Sequence, residues 1–245
     1  MKQRKLKNGP LDEIVFELLW NIPIDQTGFP TDSEFTFAQG IFSKLIGDKG
    51  YSTHKSVGST PGVRIYPKIV HQFWKGELLW PVVQIGEGIL AVNDINSSYQ
   101  WEGNYKEKVE EALKVLKESF ISPLKFNKAS LKYVNSNELP DDNYELFIKK
   151  NFQLVIQNKF EVEGSFLGLN LGESYRLNDG TTLSFNLQTV VNSLTQKAGV
   201  VWTISAEKVG EIKHEEIDDW LTTSHEQISN LFVNILTPEY YASFE

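Results

Sequence analysis

Asn178-Asp179-Gly180 sits between two runs in which apolar and polar residues alternate, and no other stretch of the chain restricts its fold as much. A short Asn/Asp/Gly element between such runs marks a β-hairpin, because its residues accept the backbone angles of a tight turn. On the far side Leu183, Phe185 and Leu187 alternate with Ser184, Asn186 and Gln188. Val200, Trp202, Ile204 and Ala206 repeat the period of two. That period points alternate side chains at one core. The C-terminal part is therefore predicted to hold an antiparallel meander. A long helix over about 215–236 closes it, with Ile217, Leu221, Ile228, Leu231, Phe232 and Ile235 on one stripe and Thr237-Pro238 as the stop.

The N-terminal part mixes both periods. Ile14, Phe16, Leu18 and Trp20 give a strand buried on at least one side. A helix follows, capped by Asp32 or Ser33 and stopped near Gly47 and Gly50, with Phe35, Phe37, Ile41, Phe42, Leu45 and Ile46 as its apolar side. Strands are predicted over 51–57, 63–74 and 82–92, the last with a bulge or close backbone approach at Gly86 and Gly88. In the next helix Tyr105, Val109, Leu113, Leu116 and Phe120 form one stripe behind an Asn104–Glu107 capping box. A strand over 129–134 follows. This order suits a ferredoxin-like α+β layer. The polar stretch 135–144, with Pro140, is the natural boundary. The expected architecture is thus α+β: a ferredoxin-like domain over 1–140, then, over 141–245, a short helix at 144–151, the antiparallel meander and the long C-terminal helix.

Composition narrows the function. The chain has 245 residues, 40% apolar and 23% charged, which is ordinary globular usage. It has no cysteine, so disulfides, thiolate catalysis and cysteine-ligated metals are excluded. A net charge of −8 disfavours a nucleic-acid backbone and suits a basic protein surface. No run approaches the ~20 apolar residues of a membrane span. The basic start is followed by an apolar run broken at Glu17, which makes a poor signal peptide. A cytoplasmic protein is the expectation.

No reaction is written in the motifs. His54, His71, His214 and His225 make no H-x-x-H or H-E-x-x-H pair, so no metal and no cofactor are expected. A G-x-S-x-G elbow is absent. Asp141–Asp142 reads as loop and Asp218–Asp219 as solvated helix surface. Gly164, Gly168 and Gly172 read as a bent or bulged strand, the alternative being a ligand approaching a smooth glycine face. His225 lies at the edge of the last apolar stripe, where it either packs its ring or serves as an acid–base group. Trp101, in the Trp-Glu-Gly-Asn-Tyr cluster, either packs under a helix start or lines a cleft.

Four segments together resemble a sporadically distributed prokaryotic family of uncharacterised proteins of about this length: PLDEIVFELLW, YQWEGNYKEKVEEAL, ASLKYVN and SHEQISNLFVNILTPE. The matching positions are Pro10, Glu13, Trp101, Lys132, Tyr133, Asn135 and His225, with Lys132 standing where the family usually has Arg. The resemblance carries over no catalytic residue. Its patchy distribution is similar to that of mobile defence and toxin–antitoxin genes. The leading expectation is a non-catalytic protein-binding component of a phage-defence or toxin-neutralising system, with a partner encoded nearby and homo-oligomerisation open. The alternative is an enzyme or small-ligand sensor whose cleft, between the halves, uses Trp101, Lys132, Tyr133, Asn135 and His225. A third expectation is RNA binding through the basic N-terminal arm.

Overall fold

The computed structural model describes residues 6, 8–24, 26, 28, 30–58, 66–77, 79–95, 99–139, 143–155, 163 and 168–245. Gly164, Asp141, Asp142, Pro140 and the basic residues Lys2, Arg4, Lys5 and Lys7 lie outside them. Among the described residues no helix is long and apolar enough to cross a membrane.

The fold is mixed α and β, with nine antiparallel strands and five helices among the described residues. The strands are β1 (Leu11–Trp20), β2 (Thr53–Ser56), β3 (Lys68–Trp74), β4 (Val82–Glu87), β5 (Ile89–Ile95), β6 (Phe126–Glu138), β7 (Asn170–Arg176), β8 (Thr182–Val191) and β9 (Ala198–Ile212). The helices are α1 (Phe35–Asp48), α2 (Lys106–Ser119), α3 (Tyr144–Asn151), α4 (Ile217–Ile235) and α5 (Pro238–Ala242). The sheet runs β2-β3-β4-β5-β1-β6-β9-β8-β7. Outward from β1 come β5, β4, β3 and β2; outward from β6 come β9, β8 and β7. In each direction the innermost strand leads into a helix (α1 or α3), and the strand beside it leads into another (α2 or α4).

The chain divides into two compact units. One comprises Met1–Glu13, Lys132–Ala206 and Thr223–Glu245; the other comprises Ile14–Leu131 and Glu207–Thr222.

In the second of these, Asp32 starts α1 by accepting from the Phe35 N–H at 2.8 Å and also takes the Trp20 Nε1–H at 3.2 Å. A Schellman motif ends the helix: the Tyr51 N–H reaches the Ile46 carbonyl, the Gly50 N–H reaches Gly47, and Gly50 has φ +90°. Phe35, Ala38, Phe42 and Ile46 bury one face of α1, which packs beside α2 and over β4, whereas Phe37 and Ile41, expected on the same apolar side, point out of the core and are exposed. Tyr105, Val109, Leu113, Leu116 and Phe120 are all buried, as their spacing predicts.

Two local expectations change. Residues 82–92 form not one strand but parts of two, β4 and β5, paired with Gly86 opposite Ile89. Gly88 takes φ +76° in the two-residue loop, a conformation that lets the chain reverse where the apolar pattern alone runs on. Gly86 is also a close approach, since a Cβ there would stand 1.7 Å from the Lys68 carbonyl oxygen, beside a register shift between Ile69 and His71. The second change is at α2, which begins at Lys106 with Tyr105 ahead of it and no side-chain cap there, in place of an Asn104 box. Gly103, at φ +78°, turns the chain so that Tyr105 enters the core.

In the other unit the hairpin forms as predicted: β7 and β8 pair from Asn170–Gln188 to Arg176–Thr182, and Gly180 has φ +82°. Leu183, Phe185 and Leu187 are buried, as are Val200, Trp202, Ile204 and Ala206. Asn143 caps α3 by accepting from the Leu146 N–H at 2.9 Å. Phe152 stands edge-on to Trp202, 5.2 Å between centroids, and Tyr240 packs against Phe147, Phe152 and Phe244. Thr237-Pro238 ends α4 and also opens α5, with the Thr237 hydroxyl accepting from the Tyr240 N–H.

Candidate functional site

Strand β6 carries three of the five candidate residues, and its pleat sorts them. Leu131, Tyr133 and Asn135 are buried, while Lys132, Val134 and Ser136 between them are half-buried. Successive side chains leave a strand on opposite faces, so Lys132 lies on the face away from Tyr133 and Asn135.

Tyr133 meets His225 of α4. The phenol oxygen and the imidazole Nδ1 are 2.6 Å apart, and the ring centroids 5.9 Å. The two residues are 9% and 5% exposed, so solvent barely reaches either ring. Burial pushes the His225 pKa down to about 3, which keeps the imidazole neutral at ordinary pH. A neutral imidazole offers one donor and one acceptor, which lets it pair with a phenol inside a core. Asn135 donates from Nδ2 to the Trp202 carbonyl at 3.4 Å, a long and weak bond. Trp202 is fully buried, and its Nε1–H finds no hydrogen-bond partner among the described residues.

Trp101 belongs to the unit containing Ile14–Leu131 and is buried, its ring 6.1 Å from that of Tyr105. The Tyr105 hydroxyl donates to the Val92 carbonyl at 2.8 Å. The Trp-Glu-Gly-Asn-Tyr cluster thus supplies two inward aromatics and a turn. Of the five residues, then, Tyr133 and His225 touch, Asn135 shares the face of β6 that carries Tyr133, Lys132 takes the other face, and Trp101 packs beside Tyr105.

Three further groupings escape the sequence motifs. Tyr51 is buried and its hydroxyl has no hydrogen-bond partner among the described residues. Burial raises its pKa, with Glu111 and Asp94 adding to the effect. The Lys75 ammonium stands 5.1 Å from its ring centre, and burial together with neighbouring Lys108 lowers the Lys75 pKa. A groove of ≈ 480 Å³ is lined by Glu110, Lys114, Lys117 and Glu118 of α2 with His214 and Asp218. Its charges are mixed and favour neither an anion nor a cation. The third grouping is an imidazole pair. His54 Nε2 lies 2.9 Å from His71 Nδ1, and His71 Nε2 lies 2.8 Å from the Gln39 amide oxygen. Burial and then His54 lower the His71 pKa. These two histidines are 17 residues apart, and only the β2–β3 pairing joins them.

Among the described residues no group of three or more His, Cys, Asp or Glu side chains is arranged to hold a metal ion. The chain matches no protein-family model. No curated protein is significantly similar to it.

Proposed function

We propose that this protein is a non-catalytic protein-binding component, cytoplasmic and working in a prokaryotic defence or toxin-neutralising system. The observation that carries the reading is the outer face of α1. Phe37 is 74% exposed and Ile41, one turn on, 42% exposed, although the same helix buries Phe35, Ala38, Phe42 and Ile46. A helix that places apolar side chains toward both core and water suits a partner that covers the outer ones. Such a helix docks into an apolar groove through residues one turn apart. The net charge of −8 favours a partner with a basic rim. The enclosed Tyr133–His225 pair fits a structural role better than a catalytic one.

Strand order also supports reading the N-terminal half as ferredoxin-like. Taking β1, α1, β4, β5, α2 and β6 in chain order gives βαββαβ, and in the sheet these strands run β4-β5-β1-β6. The β2–β3 hairpin is then an insertion after α1.

Binding assays against the purified products of adjacent genes test the function. Wild-type protein is expected to retain one of them at about micromolar affinity. The Phe37→Glu/Ile41→Glu variant should lose roughly 30-fold or more, as two truncated anchors would, with an unchanged melting curve. No retained product, or equal retention by the variant, overturns the reading.

A further inference from the structure

The His54–His71 pair brings two imidazole nitrogens within chelating distance, although spacing in the sequence predicts no such pair. β2 is the terminal described strand of the sheet. In its register with β3, His54 lies opposite Phe73 and Ser56 opposite His71, so the two histidines are diagonal neighbours. Diagonal neighbours share one face and are within reach of long side chains. His54 stacks on Phe73, 4.9 Å between centroids and 26° between planes, and this stacking sets the plane of its ring. His71 is fixed from the other side by Gln39 of α1.

The hydrogen bonds assign the protons. The Gln39 carbonyl oxygen only accepts, so His71 Nε2 carries the hydrogen and Nδ1 is left as a bare lone pair facing His54. His54 Nε2–H donates to it. A tautomeric shift of that one proton to His54 Nδ1 leaves two lone pairs facing each other, with no change of charge, and an in-plane swing of the rings then turns both toward one ion.

Metal–imidazole bonds are about 2.0–2.1 Å long. Two such nitrogens set at a right angle around an ion are then about 2.9 Å apart, and at a tetrahedral angle about 3.3 Å. The hydrogen bond already holds the two nitrogens 2.9 Å apart, so an ion that replaces the shared proton needs no change in their separation to be chelated at about a right angle. Gln39 supplies the outer hydrogen bond that metal-bound imidazoles generally make through their second nitrogen. His54 is exposed, so an ion has a path in and water can fill the remaining positions. We propose that His54 and His71 form a two-imidazole site for a divalent late transition-metal ion of square-planar or tetragonal preference, Cu²⁺ binding more tightly than Ni²⁺ or Zn²⁺. A bound ion fastens β2 to β3.

Electron paramagnetic resonance and competitive titration of the tag-free full chain with Cu²⁺ test this. One tetragonal centre per chain with coupling to two imidazole nitrogens is expected, and weaker binding of Ni²⁺ and Zn²⁺. His54→Ala and His71→Ala should each weaken Cu²⁺ binding at least tenfold and remove one nitrogen from the spectrum. Gln39→Ala should weaken it by roughly 10-fold, the usual effect of losing an outer partner. Each variant's melting curve reports whether it still folds. Absence of a two-nitrogen centre in the wild type, or its survival in folded His54→Ala or His71→Ala protein, overturns the site.

Discussion

The Tyr133–His225 pair makes stability depend on pH in a calculable direction. The His225 pKa falls from 6.5 to about 3 on burial. Below pH 6.5 the unfolded chain takes up a proton that the folded one refuses, so stability drops as pH falls from 6.5 toward 3. Above 6.5 both states are neutral at this site and its contribution is constant. The full loss is on the order of a few kcal/mol. His225→Phe abolishes this titration, and the stability gap between wild type and variant, measured by urea unfolding, should change by that amount over the window. Parallel curves would refute the assignment. Tyr133→Phe leaves the buried imidazole without its 2.6 Å partner and should cost about 1–2 kcal/mol in the same assay. Burial of Tyr105 and its stripe was legible in the spacing; contact between Tyr133 and His225 was not. They stand 92 residues apart, and no local period links a strand residue to a helix residue at that distance.

At the scale of elements, starts and stops are written locally. Asp32 lies three residues before the Phe35 N–H that it caps, and the Gly50 stop follows directly on α1. Asp32→Ala removes that cap and also the Trp20 indole's acceptor, so a loss of about 1–2 kcal/mol in urea unfolding is expected. A loss under about 0.3 kcal/mol would show that the cap contributes nothing. Leu116→Ala, in the buried stripe of α2, should cost about 2–5 kcal/mol. Gly86→Ala is predicted to be worse tolerated than any exposed change, because its methyl would overlap the Lys68 carbonyl and force β3 and β4 apart. Thermal melting of that variant checks it; a melting temperature within about 2 °C of wild type would mean that the backbone shifts without cost. The β4–β5 reversal was only half legible. Gly88 was visible as an irregularity, but an apolar run through Ile89, Leu90, Ala91 and Val92 carries no sign that the chain has turned.

For the molecule as a whole, the compact units do not follow chain order. The unit built from Ile14–Leu131 also takes Glu207–Thr222, which brings Glu207 to Lys128 and the His214 ring to Phe126. A fragment of residues 1–140 lacks those partners. It should melt without the cooperative transition of the full chain, as read by circular dichroism. A sharp transition in the fragment would show that 1–140 folds independently. Outward from β1 and β6 the first two strands each lead into a helix, although four strands lie beyond β1 and three described ones beyond β6, and the two sequences show no residue-level repeat. Sheet order can recur without side-chain recurrence because burial requires only apolar residues at alternate positions.

By itself the sequence determined where most helices begin and end, where the β7–β8 hairpin turns, and which faces of α2 and α4 are apolar. These properties depend on residues two to four positions apart and on the backbone freedom of single glycines. Only the tertiary structure decided that β1 lies beside β6, that His54 meets His71, and that Tyr133 and His225 close on each other inside one unit. Those neighbours are chosen collectively, by whichever strand order buries all the apolar faces at once, and that choice leaves no mark at any single position.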